Sequence, residues 1–214
     1  MKTIFRLIQL VIIAGVLVNC NISKIKKTEE NLKTAFNEES TASEKYKKFS
    51  QTANKEGFDT IAKLFDAVSK SESIHAFNHG KVLEKYGKGV AVAEIGSYEV
   101  KTTVENLQAA LKSESYEMQT MYPGFVRTAE IEKAPDAAKS FTWAWYVEKK
   151  HLNYFRQATA TIAKGNETGL SVIWYVCPTC GNFYKPADLK AFCDLCLTKK
   201  ENFIGYAENQ EGEK

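Results

Sequence analysis

The chain has little histidine. His75, His79 and His151 are the only three in 214 residues, so any imidazole site must draw its other ligands from different residue types. It also lacks an excess of either charge. A formal net charge of +3 leaves no basic surplus for a polyanion, which excludes nucleic acid as a partner. The short lysine runs (Lys24, Lys26, Lys27; Lys149, Lys150; Lys199, Lys200) read as solvated faces. The one markedly apolar run, Leu7 to Val18 interrupted by Gln9, is too short for a comfortable membrane span. Cysteine is nearly absent upstream. Cys20 stands alone, and the other four of the five form two Cys-x-x-Cys pairs near the C-terminus. An apolar fraction of 44% and a charged fraction of 26% then fit an ordinary globular chain of one or two domains.

Residues 1–19 carry Lys2 and Arg6, no acid and no twin arginine. A basic start followed by a short apolar run is a secretory signal pattern. It ends at Leu17-Val18-Asn19-Cys20, which is similar to a bacterial lipobox with Asn19 as the departure, so Cys20 is the expected lipidation site. An uncleaved anchor or a plain signal peptide are the alternatives. The expected product is an exported lipoprotein held to a membrane by its lipid. Residues 20–30 read as a polar tether, 31–166 as a helical bundle, 171–206 as a metal-binding module and 207–214 as a polar tail.

Two short stretches organise the bundle: Glu72-Ser-Ile-His75 and Glu148-Lys-Lys-His151. Each sets a carboxylate and an imidazole three residues apart, on one face of a helix. Both pairs fall on apolar stripes. The first stripe runs Leu32, Ala35, Glu39, Ala42, Tyr46, Phe49, Ala53, and the second Ile61, Phe65, Val68, Glu72, His75, His79, Leu83, Tyr86. Gly57, Gly87 and Gly89 punctuate them. Residues 88–101 have no period and read as a long connection. Thr102 and Glu105 make a capping box for a third helix carrying Leu107, Ala110, Glu114, Glu117, Met121 and Phe125, with Pro123 expected to kink it. Pro135 suits the first turn of a fourth, with Phe141, Ala144, Glu148, His151, Phe155, Ala158 and Ile162 inward. Glu39 and Glu72 lie 33 residues apart, and Glu114 and Glu148 lie 34 apart, as in a duplicated helical hairpin.

Five glutamates on inner faces cannot all be bare anions, because burial and mutual repulsion oppose ionisation. Two divalent cations resolve the conflict, and carboxylate with imidazole suits iron or manganese. Solvated acids at the stripe edges are the bland alternative. His79, one turn past His75, reads as an ordinary polar residue. Downstream, Cys177-Pro-Thr-Cys180 and Cys193-Asp-Leu-Cys196 have knuckle spacing for a tetrahedral four-thiolate site of iron or zinc, with two disulfides as the alternative. Trp174, Tyr175, Phe183, Tyr184 and Phe192 are the expected aromatic core of that small β module.

With these motifs in view, residues 28–206 resemble rubrerythrin. They carry Glu39-Ser40 with Ala42 and Tyr46, Glu72-x-x-His75-Ala76, Glu114-x-x-Glu117, Met121-Tyr122-Pro123, Glu148-x-x-His151 and the four cysteines. The resemblance implies a mainly α fold: a ferritin-like four-helix bundle followed by a small rubredoxin-like β domain. It implies two irons in the bundle, bridged by Glu72 and Glu148. Glu39 would be terminal on the first iron, where Glu117 and His75 exchange with redox state, and Glu114 and His151 would hold the second. Tyr46 and Tyr122 would hydrogen-bond to ligand carboxylates. The implied activity is reduction of hydrogen peroxide to water, with electrons from an unidentified donor entering at the four-thiolate iron. The implied assembly is a homodimer in which one subunit's knuckle module serves the other's di-iron site. The rival reading is an iron-binding or ferroxidase lipoprotein with structural zinc. One departure from simple rubredoxins is that the second knuckle lacks their Pro and Gly.

Overall fold

A computed structural model describes residues 25–89, 92–165, 167 and 169–206. Cys20, the leader and the polar tail lie outside the described residues. The chain runs α1 (Lys26–Lys55), α2 (Asp59–Lys85), α3 (Thr103–Tyr116), a π-helical turn (Glu117–Met121), α4 (Tyr122–Ile131) and α5 (Pro135–Ile162), then β1 (Trp174–Val176), β2 (Phe183–Tyr184) and β3 (Ile204–Tyr206). Helix α1 starts at Lys26, inside the stretch expected to be a tether. Its first turn is held from a distance, because the Glu132 carboxylate accepts from Lys27 N at 3.2 Å and Thr28 N at 2.7 Å.

The same device recurs. Glu167 accepts from Thr60 N and Ile61 N at the start of α2, and Glu56 accepts from Thr103 N at the start of α3. Helix N-termini leave unpaired N–H groups and a partial positive charge, so a carboxylate from another segment serves as cap and counter-charge. Helix α3 adds the Thr102–Glu105 capping box.

Two tight turns make two helical hairpins. Gly57 (φ 81°) reverses the chain after α1, and Phe58 N donates to Ala53 O. Lys133 (φ 57°) holds the matching place after α4, and Ala134 N donates to Ala129 O. A helix C-terminus favours this left-handed residue, usually glycine. The connection after α2 is pinned along α1 by Glu94 N to Asn37 Oδ1, Gly96 N to Thr41 Oγ1 and Tyr98 Oη to Glu44 Oε1. It therefore travels the length of the bundle, as a ferritin-like crossover does.

The four stripes bury as the periodicity predicts, and they split into two apolar clusters. One holds Tyr46, Phe49, Phe65, Leu107 and Phe155. The other holds Leu32, Met121, Tyr122, Phe141 and Ala144. The inward acids and imidazoles lie on the helix turns between them. The irregularity expected at Pro123 is instead a π-turn just before it. Pro123 follows that turn as the second residue of α4, inside a continuous helical path where it cannot donate to the preceding turn. Trp145 Nε1 donates to Met118 O within that turn.

The C-terminal module is a three-stranded antiparallel sheet, ordered β2-β1-β3. Its alternation faces Trp174 and Val176 to the bundle and Tyr175 to the cysteines. Trp174 stacks on Phe183 at 4.7 Å, and Tyr154 of α5 meets the edge of Trp174 at 4.7 Å. The expected separate aromatic core is thus shared with the bundle. Phe192 is not part of it and stands exposed.

Candidate metal centres

Two four-residue groups meet at the middle of the bundle. Glu39, Glu72, His75 and Glu148 form one, and Glu72, Glu114, Glu148 and His151 the other, each with ligand atoms within 4.8 Å of one another. Glu72 and Glu148 belong to both. His75 Nδ1 lies 3.0 Å from Glu72 Oε2, 3.0 Å from Glu148 Oε1 and 3.7 Å from Glu39 Oε1. His151 Nδ1 lies 2.8 Å from Glu148 Oε2, 3.3 Å from Glu72 Oε1 and 3.4 Å from Glu114 Oε2. All of these side chains are buried.

Many of their polar atoms have no hydrogen-bond partner: both oxygens of Glu72, one each of Glu39, Glu114, Glu117 and Glu148, both nitrogens of His75 and Nε2 of His151. Orphaned buried donors and acceptors are costly in a native fold, and here the carboxylate oxygens and the two Nδ1 atoms converge. Two cations convert them into ligands, so the residues fit a di-metal carboxylate site.

Without cations the charges are forced apart. Burial, with Glu72 and Glu148 beside it, pushes Glu39 up to about 8. Burial and the same two neighbours hold Glu114 well above the usual carboxylate range. Burial, then Glu114 and Glu39, does the same to Glu117. Glu72 and Glu148 are lowered despite burial, because His151 and His75 face them. Both imidazoles are raised against their burial by those carboxylates.

Glu117 is buried but belongs to neither group. It opens the π-turn, and Ser113 Oγ donates to its Oε1 at 3.1 Å, with Lys45 Nζ on Ser113 at 3.2 Å. Tyr46 Oη donates to Glu114 Oε1 at 2.5 Å, and Tyr122 Oη donates to Glu39 Oε1. His79 stays out of the groups, as expected. Its Nε2 lies 3.1 Å from Tyr122 Oη and its Nδ1 2.8 Å from Ser140 Oγ. Burial, then the neighbouring His75, lowers it to about 3, so it is neutral. Ser113, Lys45 and Ser140 were not singled out from sequence. Ser113 carried a signal, since it precedes Glu117 by one helical turn; Ser140 carried none.

The four cysteines converge as free thiols, with no disulfide among the described residues. Cys177 Sγ is 3.4 Å from Cys196 Sγ, and Cys180 Sγ is 3.6 Å from Cys193 Sγ. The two knuckles mirror each other. Gly181 N donates to Cys177 O and Leu197 N to Cys193 O, both at 3.0 Å, and both residues have positive φ (75° and 63°). Leu197 thus holds the place where the second knuckle lacks its glycine.

This module docks on its own chain's bundle. Ser71 Oγ donates to Gly181 O at 2.7 Å, Asn78 Nδ2 to Thr179 O at 2.9 Å and Lys150 Nζ to Asn182 Oδ1 at 2.8 Å. The first knuckle reaches the carboxylate–histidine groups, with Gly181 against His75.

The sequence profile of the rubrerythrin family matches residues 30–159. Rubrerythrin-2 of Clostridium acetobutylicum is 31% identical over 182 residues, covering 84% of this chain and 96% of the relative. Nigerythrin of Nitratidesulfovibrio vulgaris is 29% identical, covering 85% and 88%. A solved structure of nigerythrin in its fully reduced, all-ferrous state superposes with a TM-score of 0.76 at 30% identity, covering 84% of this chain and 86% of that one. The carboxylate–histidine groups and the four-cysteine cluster match the iron centres of these relatives.

Proposed function

The chain belongs to the rubrerythrin family, and from that premise we propose that it reduces hydrogen peroxide to water with electrons relayed through the four-cysteine site. Each peroxide takes two electrons and two protons and gives two waters. When bound, the irons of the bundle supply the two electrons and polarise the O–O bond.

The chain's own residues supply the rest. The apolar clusters above and below exclude bulk water from the site. Tyr46 and Tyr122 orient Glu114 and Glu39, and neutral His79, braced by Ser140, orients Tyr122. Glu117 stands free of both ligand groups, and burial, then Glu114 and Glu39, raise its carboxyl, which suits it to hold and deliver a proton. His75, inside the first group, would hold the first metal, and Glu117, just outside it, is the further carboxylate that could serve there, as the family implies.

The observation that carries the relay is the contact of the first knuckle with His75. Gly181 has no room for a Cβ, because one would lie 2.5 Å from His75 Nε2. The knuckle that follows Cys180 thus packs directly on a histidine of the first ligand group, which supports a short path between the two sites. The test is to mix fully reduced protein with peroxide and follow the visible absorption of the four-thiolate iron. Oxidation of the bundle irons should be followed by return of that colour. Cys180→Ser should keep a single turnover and lose steady-state activity. Steady-state turnover unchanged after replacing the module's iron with zinc overturns the relay.

A further inference from the structure

The four-cysteine site has a polar group beside one sulfur that its ligand role does not explain. Tyr184 Oη lies 3.2 Å from Cys193 Sγ, and Asn182 Nδ2 lies 3.6 Å from it. Tyr184 Oη is also 2.6 Å from Asp194 Oδ1 and 2.7 Å from Asn182 Nδ2, and Asn182 Nδ2 is 2.7 Å from Asp194 Oδ1. Tyr184 and Asn182 are buried. Behind them stands a charge from the bundle. Lys150 Nζ donates to Asn182 Oδ1 at 2.8 Å and to Phe183 O at 3.3 Å, and sits 4.4 Å from the centroid of the Tyr184 ring. Lys150 lies on α5 between the ligands Glu148 and His151, so it spans from one metal site to the other.

We propose that Lys150, Tyr184 and Asp194 set the reduction potential of the four-cysteine iron from outside its ligand sphere. A ferrous four-thiolate site carries one more negative charge than the ferric one. A nearby cation therefore favours reduction and a nearby anion opposes it, more strongly in a dry interior than in water. Hydrogen bonds toward ligand sulfurs likewise tune such potentials. Lys150 raises the potential and Asp194 lowers it. The Tyr184 hydroxyl raises it in either orientation, because its proton points at Cys193 Sγ or else offsets the Asp194 charge. Asp194 occupies the second knuckle at the position after its first cysteine, so the departure from simple rubredoxins is itself part of the device.

The inference rests on the relay reading only in taking iron as the occupant of the site. The test needs no peroxide, so failure here leaves the peroxidase reading standing, and the reverse also holds. The experiment is a spectroelectrochemical titration of the four-thiolate absorption in the full-length iron-loaded protein and in Lys150→Met, Lys150→Arg, Tyr184→Phe and Asp194→Asn. Lys150→Met and Tyr184→Phe should shift the midpoint down, Asp194→Asn should shift it up, and Lys150→Arg should stay near the parent. A tenfold change in the reduction equilibrium reads as about 59 mV for one electron. Unmoved midpoints overturn the proposal, and so do midpoints that all move in one direction. If Lys150→Met loses the ferric colour altogether, the opposite signs expected for Tyr184→Phe and Asp194→Asn decide the matter alone.

Discussion

Gly181 and His75 stand so close that a Cβ on the glycine would lie 2.5 Å from the imidazole Nε2 and 2.8 Å from Cδ2. The glycine also has φ 75°, and its carbonyl accepts from Ser71. Neither neighbour can yield, because His75 is fixed among metal ligands and Ser71 lies buried on α2. Gly181→Ala should therefore lift the module off the bundle. Steady-state peroxide turnover should fall tenfold or more, while the first oxidation of the bundle irons in stopped flow is unchanged. A Gly181→Ala protein with parental steady-state turnover would show that this contact carries no electrons.

The bundle was legible because burial left a periodic trace. Each inward acid interrupts an apolar stripe at a helical step, and the paired spacings of the two hairpins repeat. The capping carboxylates Glu132, Glu167 and Glu56 were not legible. Glu132 and Glu167 act across more than a hundred residues, and Glu56 across 47. A cap made in three dimensions leaves no local motif. The start of α1 was misplaced for that reason, since polar residues 26–30 look like a tether until Glu132 is brought to them. The π-turn at Glu117 was likewise hidden. Pro123 signalled an irregularity, and the backbone resolves it one turn earlier.

The second knuckle offers a stability test. Leu197 sits at φ 63°, is 75% exposed and has the role that Gly181 has in the first knuckle. A left-handed conformation costs a non-glycine residue roughly 1–2 kcal/mol, and an exposed side chain contributes little packing to offset this. Leu197→Gly should stabilise the metal-loaded module by about 1 kcal/mol after allowing for glycine's extra freedom when unfolded. Slower loss of the four-thiolate absorption in a denaturant series would register it. Faster loss would mean that Leu197 contributes packing its exposure conceals.

The buried carboxylates fix the sign of a pH response in metal-free protein. Glu39 is raised to about 8, Glu114 and Glu117 are raised, and both ligand histidines are raised. Between about pH 5 and pH 8 the folded chain therefore holds more protons than the unfolded chain, and stability falls as pH rises. Glu72 and Glu148 are lowered, so their contribution is lost only as pH falls below the ordinary carboxylate range. Calorimetry with chelator present should show the thermal midpoint dropping across that window. Anaerobic ferrous iron should flatten or reverse the drop, because metal binding displaces the same protons. A metal-free midpoint that climbs with pH would contradict the assignment of these acids to one shared site.

Electrons are expected to pass from module to bundle within one chain. Three contacts join the module to its own bundle: Ser71 to Gly181, Asn78 to Thr179 and Lys150 to Asn182. The apolar junction is intramolecular as well, with Trp174 and Phe183 packed on Tyr154. Two disabled chains make the question decidable. Cys180→Ser keeps the di-iron site and disables the proposed relay, and Glu148→Ala loses a carboxylate common to both ligand groups and keeps the four cysteines. Each alone should lack steady-state peroxidase activity, and Glu148→Ala should also bind less than its two bundle irons. The two chains, given different tags, are co-expressed, and any mixed assembly is purified through both tags in turn. A relay within the chain predicts that such assemblies remain inactive, because no chain has both an intact di-iron site and an intact module. A relay between subunits predicts recovery, since the intact module of one chain would then serve the intact site of the other. Recovery of about half the parental turnover per mixed dimer would place the working contact between chains and overturn the intramolecular route.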